Sequence, residues 1–301
     1  MFPPNRILVT CAAGNQGRGV VHRSLAAGHH VYAYVRDPTT PAATQLEGLG
    51  AKLVKGDLGD IDALRCATEG IDVVFHTEVQ TGDWAGDLQR STNVIDAARA
   101  SSTVSTMIVS TAIKVGQHET FPGWGLEHPM RQYWLNKHAL ESQVREAGFQ
   151  HWTIIRPGHF LQNLKAPVNA LAFPDFVDDR VLRVAWRPDT KLPWVDAADV
   201  GIVVAKVVSD PECYTHQEID LAVEALTVEE VAGKLTRCLG REVKVHYLSD
   251  EEVDDMIKQG SPVPAAHKWA NEVPGVDAVG KFKELDLTPV DAFLETNATA
   301  I

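Results

Sequence analysis

Cysteine is scarce in this 301-residue chain, and its four copies, Cys11, Cys66, Cys213 and Cys238, form no C-x-x-C pair. That spacing argues against a disulfide framework or a cysteine zinc site and for reduced thiols in a cytoplasmic setting. Basic residues are also short, with 28 Lys and Arg against 40 Asp and Glu for a net charge of −12. The chain therefore lacks the basic footprint of general nucleic-acid binding. No apolar run approaches the ~18 residues of a membrane span. The start, Met1-Phe2-Pro3-Pro4-Asn5-Arg6, carries no apolar signal segment. The 12 histidines show no ligand spacing with carboxylates on one helix face, so no metal site is expected. Internal repeats and low-complexity tracts are absent. What remains, 45% hydrophobic and 23% charged, is the composition of a soluble globular protein.

Strands and helices alternate from the start. Apolar runs of strand length cover 7–10, 31–35, 51–55, 73–76, 106–110 and 152–155. Helical patterns cover 17–27, 44–49, 61–68, 88–100 and 133–147. Gly28, Gly70 and Gly148 stand where helices stop. Such alternation predicts βαβ units and an α/β, Rossmann-type, doubly wound parallel sheet. After Arg156-Pro157-Gly158 the rhythm changes, and 159–190 shows no clean period. Runs at 192–195, 200–208 and 218–221 read as strand, helix and strand rejoining the sheet. Thr227 opens a helix to Leu239, where Thr227 and Glu230 fit a capping box. A strand is expected at 243–247, and 249–295 looks mostly helical, its carboxylates from Ser249 to Asp255 forming a solvated start. The predicted domains are 1–155, with 191–221 rejoining the sheet, and a smaller α/β lobe from 156–190 and 222–301. A ligand is expected at the carboxyl ends of the strands, in the cleft between them.

The chemistry starts after the first strand, at Thr10-Cys11-Ala12-Ala13-Gly14-Asn15-Gln16-Gly17. Small residues between a strand and a helix let backbone approach a pyrophosphate, and the helix N-terminus offers unpaired N–H groups. On the spacing G-x-x-G-x-x-G, Cys11 occupies the first glycine position. A cysteine there is strained if the turn requires positive φ. Arg36 ends the second strand, where an arginine suits a 2′-phosphate and an acid would suit a free ribose hydroxyl. NADP(H) is therefore the expected cofactor. Asp57 and Leu58, after the third strand, lie where side chains reach an adenine.

Tyr133 and Lys137 are four apart on one helix face. A nearby ammonium is expected to lower the phenol pKa and make Tyr133 a usable proton donor, with Lys137 also reaching ribose hydroxyls. Ser110 and Thr111, at the end of the fifth strand, are candidate donors to a substrate oxygen. Trp84, His159 and Asn163 are candidate substrate-lining residues, each with a bland alternative as loop aromatic or strand cap.

These residues together resemble the NmrA-like family of atypical short-chain dehydrogenases/reductases. The likeness rests on Gly14-Asn15-Gln16-Gly17, Val35-Arg36-Asp37, Gly56-Asp57-Leu58, Val109-Ser110-Thr111, Lys137 with Leu140-Glu141, Thr153 to Gly158 with Phe160 and Asn163, and Leu192 to Asp196 with Asp199-Val200. It runs from about residue 5 to 250. The resemblance implies a Rossmann domain, a small C-terminal lobe and NADP(H). Some members of that family reduce enones, quinones or imines, and others sense the dinucleotide and contact a protein partner without turnover. Regulator-type members tend to lack the tyrosine four before the lysine, so Tyr133 points to an oxidoreductase acting on a small or mid-sized carbonyl, enone, quinone or imine. Two alternatives stay open, a dinucleotide-sensing regulator and a reductase fold recruited to non-redox chemistry.

Overall fold

The computed structural model describes residues 4–78, 80–280 and 285–301. Residues 1–3 and the stretch 281–284, expected to be part of the helical tail, lie outside it. In chain order the elements are β1 (Arg6–Val9), α1 (Asn15–Ala26), β2 (His30–Val35), α2 (Pro41–Gly48), β3 (Lys52–Lys55), α3 (Ile61–Thr68), β4 (Val73–Thr77), α4 (Trp84–Ala100), β5 (Thr106–Ser110), α5 (Arg131–Glu146), β6 (His151–Pro157) and β7 (His159–Phe160). Then come α6 (Asn169–Ala172), α7 (Phe176–Asp179), β8 (Val181–Val184), β9 (Leu192–Val195), α8 (Val200–Ser209), α9 (Pro211–Tyr214), β10 (Gln217–Leu221), β11 (Glu224–Leu226), α10 (Val228–Leu239), β12 (Lys244–Tyr247), α11 (Asp250–Lys258), α12 (Val263–Glu272) and α13 (Val290–Asn297).

The chain divides into two compact units, the first made of residues 1–116, 132–157 and 197–219, the second of 117–131, 158–196 and 220–301. The first unit is built on a seven-stranded sheet in the order β3-β2-β1-β4-β5-β6-β10. From β3 to β6 every neighbouring pair is parallel. Successive strands leave β1 in opposite directions, so the order reverses between β1 and β4, where a doubly wound sheet opens a crevice.

Both sheet faces are covered, which explains why the strands read as nearly unbroken apolar runs. Leu8, Val74, Met107, Val109 and Ile154 pack with Leu64, Val94, Ile95, Leu140 and Val144 of α3, α4 and α5. On another side α1 meets α8 backbone to backbone. A Cβ at Gly19 would stand 2.4 Å from Ala198 O, and one at Gly201 would stand 2.3 Å from Gly19 O. Neither glycine can be replaced without moving a helix.

The second unit holds a three-stranded sheet, β11-β9-β7, and a parallel pair, β12-β8. Phe173, Phe176, Trp186, Trp194, Val231, Leu235 and Phe293 fill its core. Two expectations need correction. Residues 192–195 do form a strand, but it pairs with β7 and β11 and does not rejoin the large sheet. Residues 117–131, expected in the nucleotide domain, belong to the second unit. The capping box expected at Thr227–Glu230 is formed, and Ser249 with Glu252 forms a second at the start of α11.

Candidate functional site

In the first unit a cavity of about 590 Å³ opens at the carboxyl ends of β1, β2 and β3. Cys11, Ala12, Ala13 and Gly14 form one wall, Tyr34 to Asp37 with Thr40 another, and Gly56 to Leu58 with Thr81 and Arg90 the rest. The glycine turn is closed by a hydrogen bond from Gly14 N to Cys11 O at 2.9 Å. Cys11 has φ +51°, the left-handed region that disfavours a side chain. The position therefore has the glycine-type backbone that the sequence spacing implies, and the cysteine bears the strain. Its Sγ donates to Thr77 O at 3.4 Å, and burial pushes the thiol up to about 11, so it is not a reactive thiolate. A Cβ at Gly17 would fall 2.4 Å from Cys11 O and 2.7 Å from Ala12 Cα, so only glycine fits this cradle.

Gly14 is the N-cap of α1 and supplies no side-chain hydrogen bond, and the first turn holds no acidic residue. By contrast α2, α3 and α4 are capped by Thr40, Asp60 and Asp83. The leading N–H groups of α1 are thus left for an anion at the cavity edge. Asn15 instead accepts from Arg18 at 3.1 Å, within the helix. Thr10 is fully buried and turns inward: its hydroxyl donates to Phe75 O at 3.2 Å and lies 2.8 Å from His76 Nδ1. His76 Nε2 lies 3.0 Å from Ser91 Oγ. Burial, then Lys137, drives the His76 pKa down to about 3, so the ring is neutral and bridges Thr10 and Ser91. The Thr10 side chain is a brace under the turn rather than a ligand group.

Arg36 is exposed on the cavity wall and has no hydrogen bond or ion pair among the described residues. Its neighbour Asp37 does not neutralise it. Asp37 Oδ1 accepts from Thr39 N at 2.8 Å and Thr39 Oγ1 at 2.6 Å, and these bonds hold its carboxyl below the usual range. Asp57 is similarly turned onto its own loop, accepting from Gly59 N at 2.8 Å. Leu58 is buried against the core. Of the two arginines on the wall, Arg90 is held by Asp87, while the planar fork of Arg36 is open and suits a phosphate monoester.

The β4–β5 side is differently arranged. Ser110 Oγ donates to Gln16 Oε1 at 2.6 Å, and Gln16 Nε2 donates to Thr77 Oγ1 at 3.1 Å, so Gln16 laces α1 to two strand ends. Thr111 Oγ1 donates to Glu141 Oε1 at 2.7 Å. Glu141, fully buried, also accepts from Arg156 Nε at 2.9 Å and Arg145 at 2.7 Å. The Ser110 and Thr111 hydroxyls, read from the sequence as candidate donors to a substrate oxygen, thus donate to Gln16 and Glu141 in this structure. Lys137 Nζ lies 5.0 Å from the Tyr133 ring centroid and donates to Glu78 Oε2 at 3.2 Å. Burial raises the Tyr133 pKa, Lys137 only opposes it, and Glu78 adds to it. The expected lowering of this phenol is thus overturned: desolvation outweighs the lysine, whose charge Glu78 already balances. Trp84 opens α4 half-exposed, and its carbonyl accepts from Asn136 Nδ2 at 2.7 Å.

His159 and Asn163 lie in the second unit, joined at 3.1 Å between Asn163 Nδ2 and His159 Nε2. The His159 ring sits edge-on to Trp194 at 4.5 Å, and burial lowers its pKa to about 4. A neutral His159 is thereby fixed as an acceptor for Asn163.

Sequence reasoning missed Tyr34, Thr81, Arg90 and Glu78. Tyr34 donates to Asp57 O at 3.1 Å, and its ring fills the space a Cβ would take at Gly56. The glycine directly after β3 was the available signal. Arg90 pairs with buried Asp87 and reaches Thr81 Oγ1 at 3.0 Å, closing the 81–87 loop. Glu78 was visible as a carboxylate directly after an apolar strand.

Parallel sheet, glycine cradle and uncapped helix together define a Rossmann-type dinucleotide fold. More particularly, the NmrA-like family model matches residues 3–300, and the chain belongs to that family. It is 27% identical over 264 residues to the nitrogen metabolite repression protein nmrA of Emericella nidulans, spanning 85% of this chain and 71% of that protein. It is also 27% identical over 258 residues to an NAD(P)H azoreductase of Xenophilus azovorans, spanning 85% and 82%. Among solved structures, the negative transcriptional regulator NmrA in complex with NADP superposes with a TM-score of 0.76 at 22% identity, covering 97% of this chain and 94% of that one. An NADPH-dependent quinone oxidoreductase of Escherichia coli, complexed with NADPH, gives 0.75 at 20% identity, covering 97% and 99%. At these identities the structural likeness establishes the shared fold.

Proposed function

We propose that this protein binds NADP(H) in its first unit and uses it to reduce a small or mid-sized carbonyl, enone, quinone or imine. The observation that carries the cofactor reading is Arg36, a guanidinium unpaired among the described residues, on the wall of a cavity that begins at an uncapped helix. The cradle at Gly14 and Gly17 admits a pyrophosphate, α1 meets its charge, and Arg36 takes the 2′-phosphate. Bound NADPH supplies a hydride. Tyr133 supplies the proton, since a phenol above its ordinary pKa keeps its hydrogen at neutral pH and gives it up only to a strong developing base. That favours reduction over the reverse direction. Lys137 orients the phenol from 5.0 Å and anchors ribose.

A second reading is a dinucleotide-sensing regulator without turnover. What favours it is the commitment of the Ser110 and Thr111 hydroxyls to Gln16 and Glu141, which leaves Tyr133 without a second donor at the strand end. One experiment separates the two. NADPH, NADP+ and NADH are titrated against the protein, then NADPH oxidation is followed with quinones, azo dyes, enones and imines. Preference for NADPH together with turnover that Tyr133→Phe abolishes supports the reductase. Tight binding with no oxidation across the panel, and a copurifying protein, supports the regulator. Failure to bind any dinucleotide overturns both.

A further inference from the structure

Glu78 is a buried charge that the proposed reaction leaves idle. It follows Thr77, the last residue of β4, whose carbonyl accepts from Cys11 Sγ and whose hydroxyl accepts from Gln16 Nε2. The carboxylate therefore leaves the sheet directly beside the glycine turn, on the β4 side of the order reversal. Its Oε2 accepts from Lys137 Nζ at 3.2 Å, with the two side chains only 1% and 8% exposed. Its Oε1 is buried and has no hydrogen-bond partner among the described residues. Native proteins rarely leave a buried carboxylate oxygen open, so an idle acceptor of this kind marks a place for a donor.

We propose that Glu78 is the second half of a ribose grip. Lys137 donates to one hydroxyl oxygen of a vicinal diol while Glu78 accepts the hydrogen of the adjacent hydroxyl. The chemistry of the pair fits this ligand. An ammonium has donors only and a carboxylate acceptors only, whereas each sugar hydroxyl offers one hydrogen and two lone pairs. A donor and an acceptor held side by side therefore match two neighbouring hydroxyls. The terminal torsion of a glutamate is soft, so either oxygen can turn toward the arriving hydroxyl. The diol belongs to the nicotinamide half of the dinucleotide. The adenine half, with its 2′-phosphate, is assigned to the cavity on the β1–β3 side, where Arg36 stands. The inference rests on the NADP(H) reading above and assigns Glu78 a part in it.

The test compares two ligands by calorimetric titration. NADPH carries both riboses, and adenosine 2′,5′-bisphosphate carries only the adenine ribose with its 2′-phosphate. Glu78→Ala is expected to weaken NADPH by about tenfold or more, the size of a lost charge-assisted bond, and to leave the bisphosphate within about twofold. Glu78→Gln keeps the shape and one acceptor oxygen, so its loss for NADPH is expected to be smaller. It carries the test if Glu78→Ala, which strands Lys137, fails to fold. NADPH affinity unchanged within about twofold in a folded variant overturns the grip. Equal weakening of both ligands also overturns it, since that pattern means a disturbed turn. If the unmodified protein binds neither ligand, the NADP(H) reading itself fails and the grip falls with it.

Discussion

On the β1–β3 side of the sheet reversal the polar groups stand ready for a ligand. Arg36 has no ion pair among the described residues, α1 starts without a side-chain cap, and a cavity of about 590 Å³ lies between them. On the β4–β5 side nearly every polar group has a partner inside the protein. Ser110 is held by Gln16, Thr111 by Glu141, and Lys137 by Glu78. One half of the site is a preformed recognition wall whose exposed cation, Arg36, contributes little to folding. The other is a buried polar network in which site residues also hold the fold together. Substitutions on the two sides should therefore fail in different ways.

The largest effect is expected on the network side. Glu141 is fully buried and takes hydrogen bonds from Thr111, Arg145 and Arg156. Glu141→Ala leaves the Arg156 guanidinium, mostly buried, without that partner and strips Thr111 of its acceptor. Breaking one side of a buried ion pair costs about 3–5 kcal/mol. Arg156 also touches Glu218 at 2.8 Å, which places the expected loss near the lower end of that range. Urea denaturation should show a lowered midpoint with the slope preserved. A midpoint indistinguishable from the parent protein would mean that the network is ornamental.

The wall side should show the opposite pattern. Arg36→Ala removes an exposed side chain with no partner among the described residues, so stability should change by less than about 0.5 kcal/mol. Its effect belongs to binding. Losing a charge-assisted contact to a phosphate monoester should weaken NADPH by about 10- to 100-fold and NADH hardly at all. Equal loss for both dinucleotides would place Arg36 elsewhere on the ligand, and the preference for the 2′-phosphate would need another source.

The same contrast explains what was legible in the sequence. Fully buried parallel strands read as apolar runs between glycine stops, and 106–110 and 61–68 fall where the pattern puts them. The glycine cradle and Arg36 are local features, visible as a turn and a strand end. Residues 192–195 also read correctly as a strand. Four apolar residues look alike in any sheet, so nothing local says that β7 and β11 are their partners. The network was hidden for a related reason. Spacing places Tyr133 and Lys137 on one face, but the sign of the phenol shift depends on burial and on Glu78, which arrives from β4. Thr111 looks like a free hydroxyl until Arg156 and α5 bring Glu141 beneath it.

The smallest effect is expected at Cys11, where the two halves meet. Its backbone already holds φ +51°, so the turn has the conformation a glycine would take, and folding rather than binding bears the strain. Cys11→Gly should relieve roughly 1 kcal/mol of left-handed strain. Against that stand a more flexible unfolded chain, worth about 0.5–1 kcal/mol, and the lost Sγ contact with Thr77 O. The terms nearly cancel, and denaturation should show a net change within about 1 kcal/mol of zero. Because the cradle keeps its shape, NADPH affinity should stay within about twofold. A clear gain in affinity would show instead that the cysteine holds the turn away from the phosphates, and the wall on the β1–β3 side would then be less ready than its unpaired groups imply.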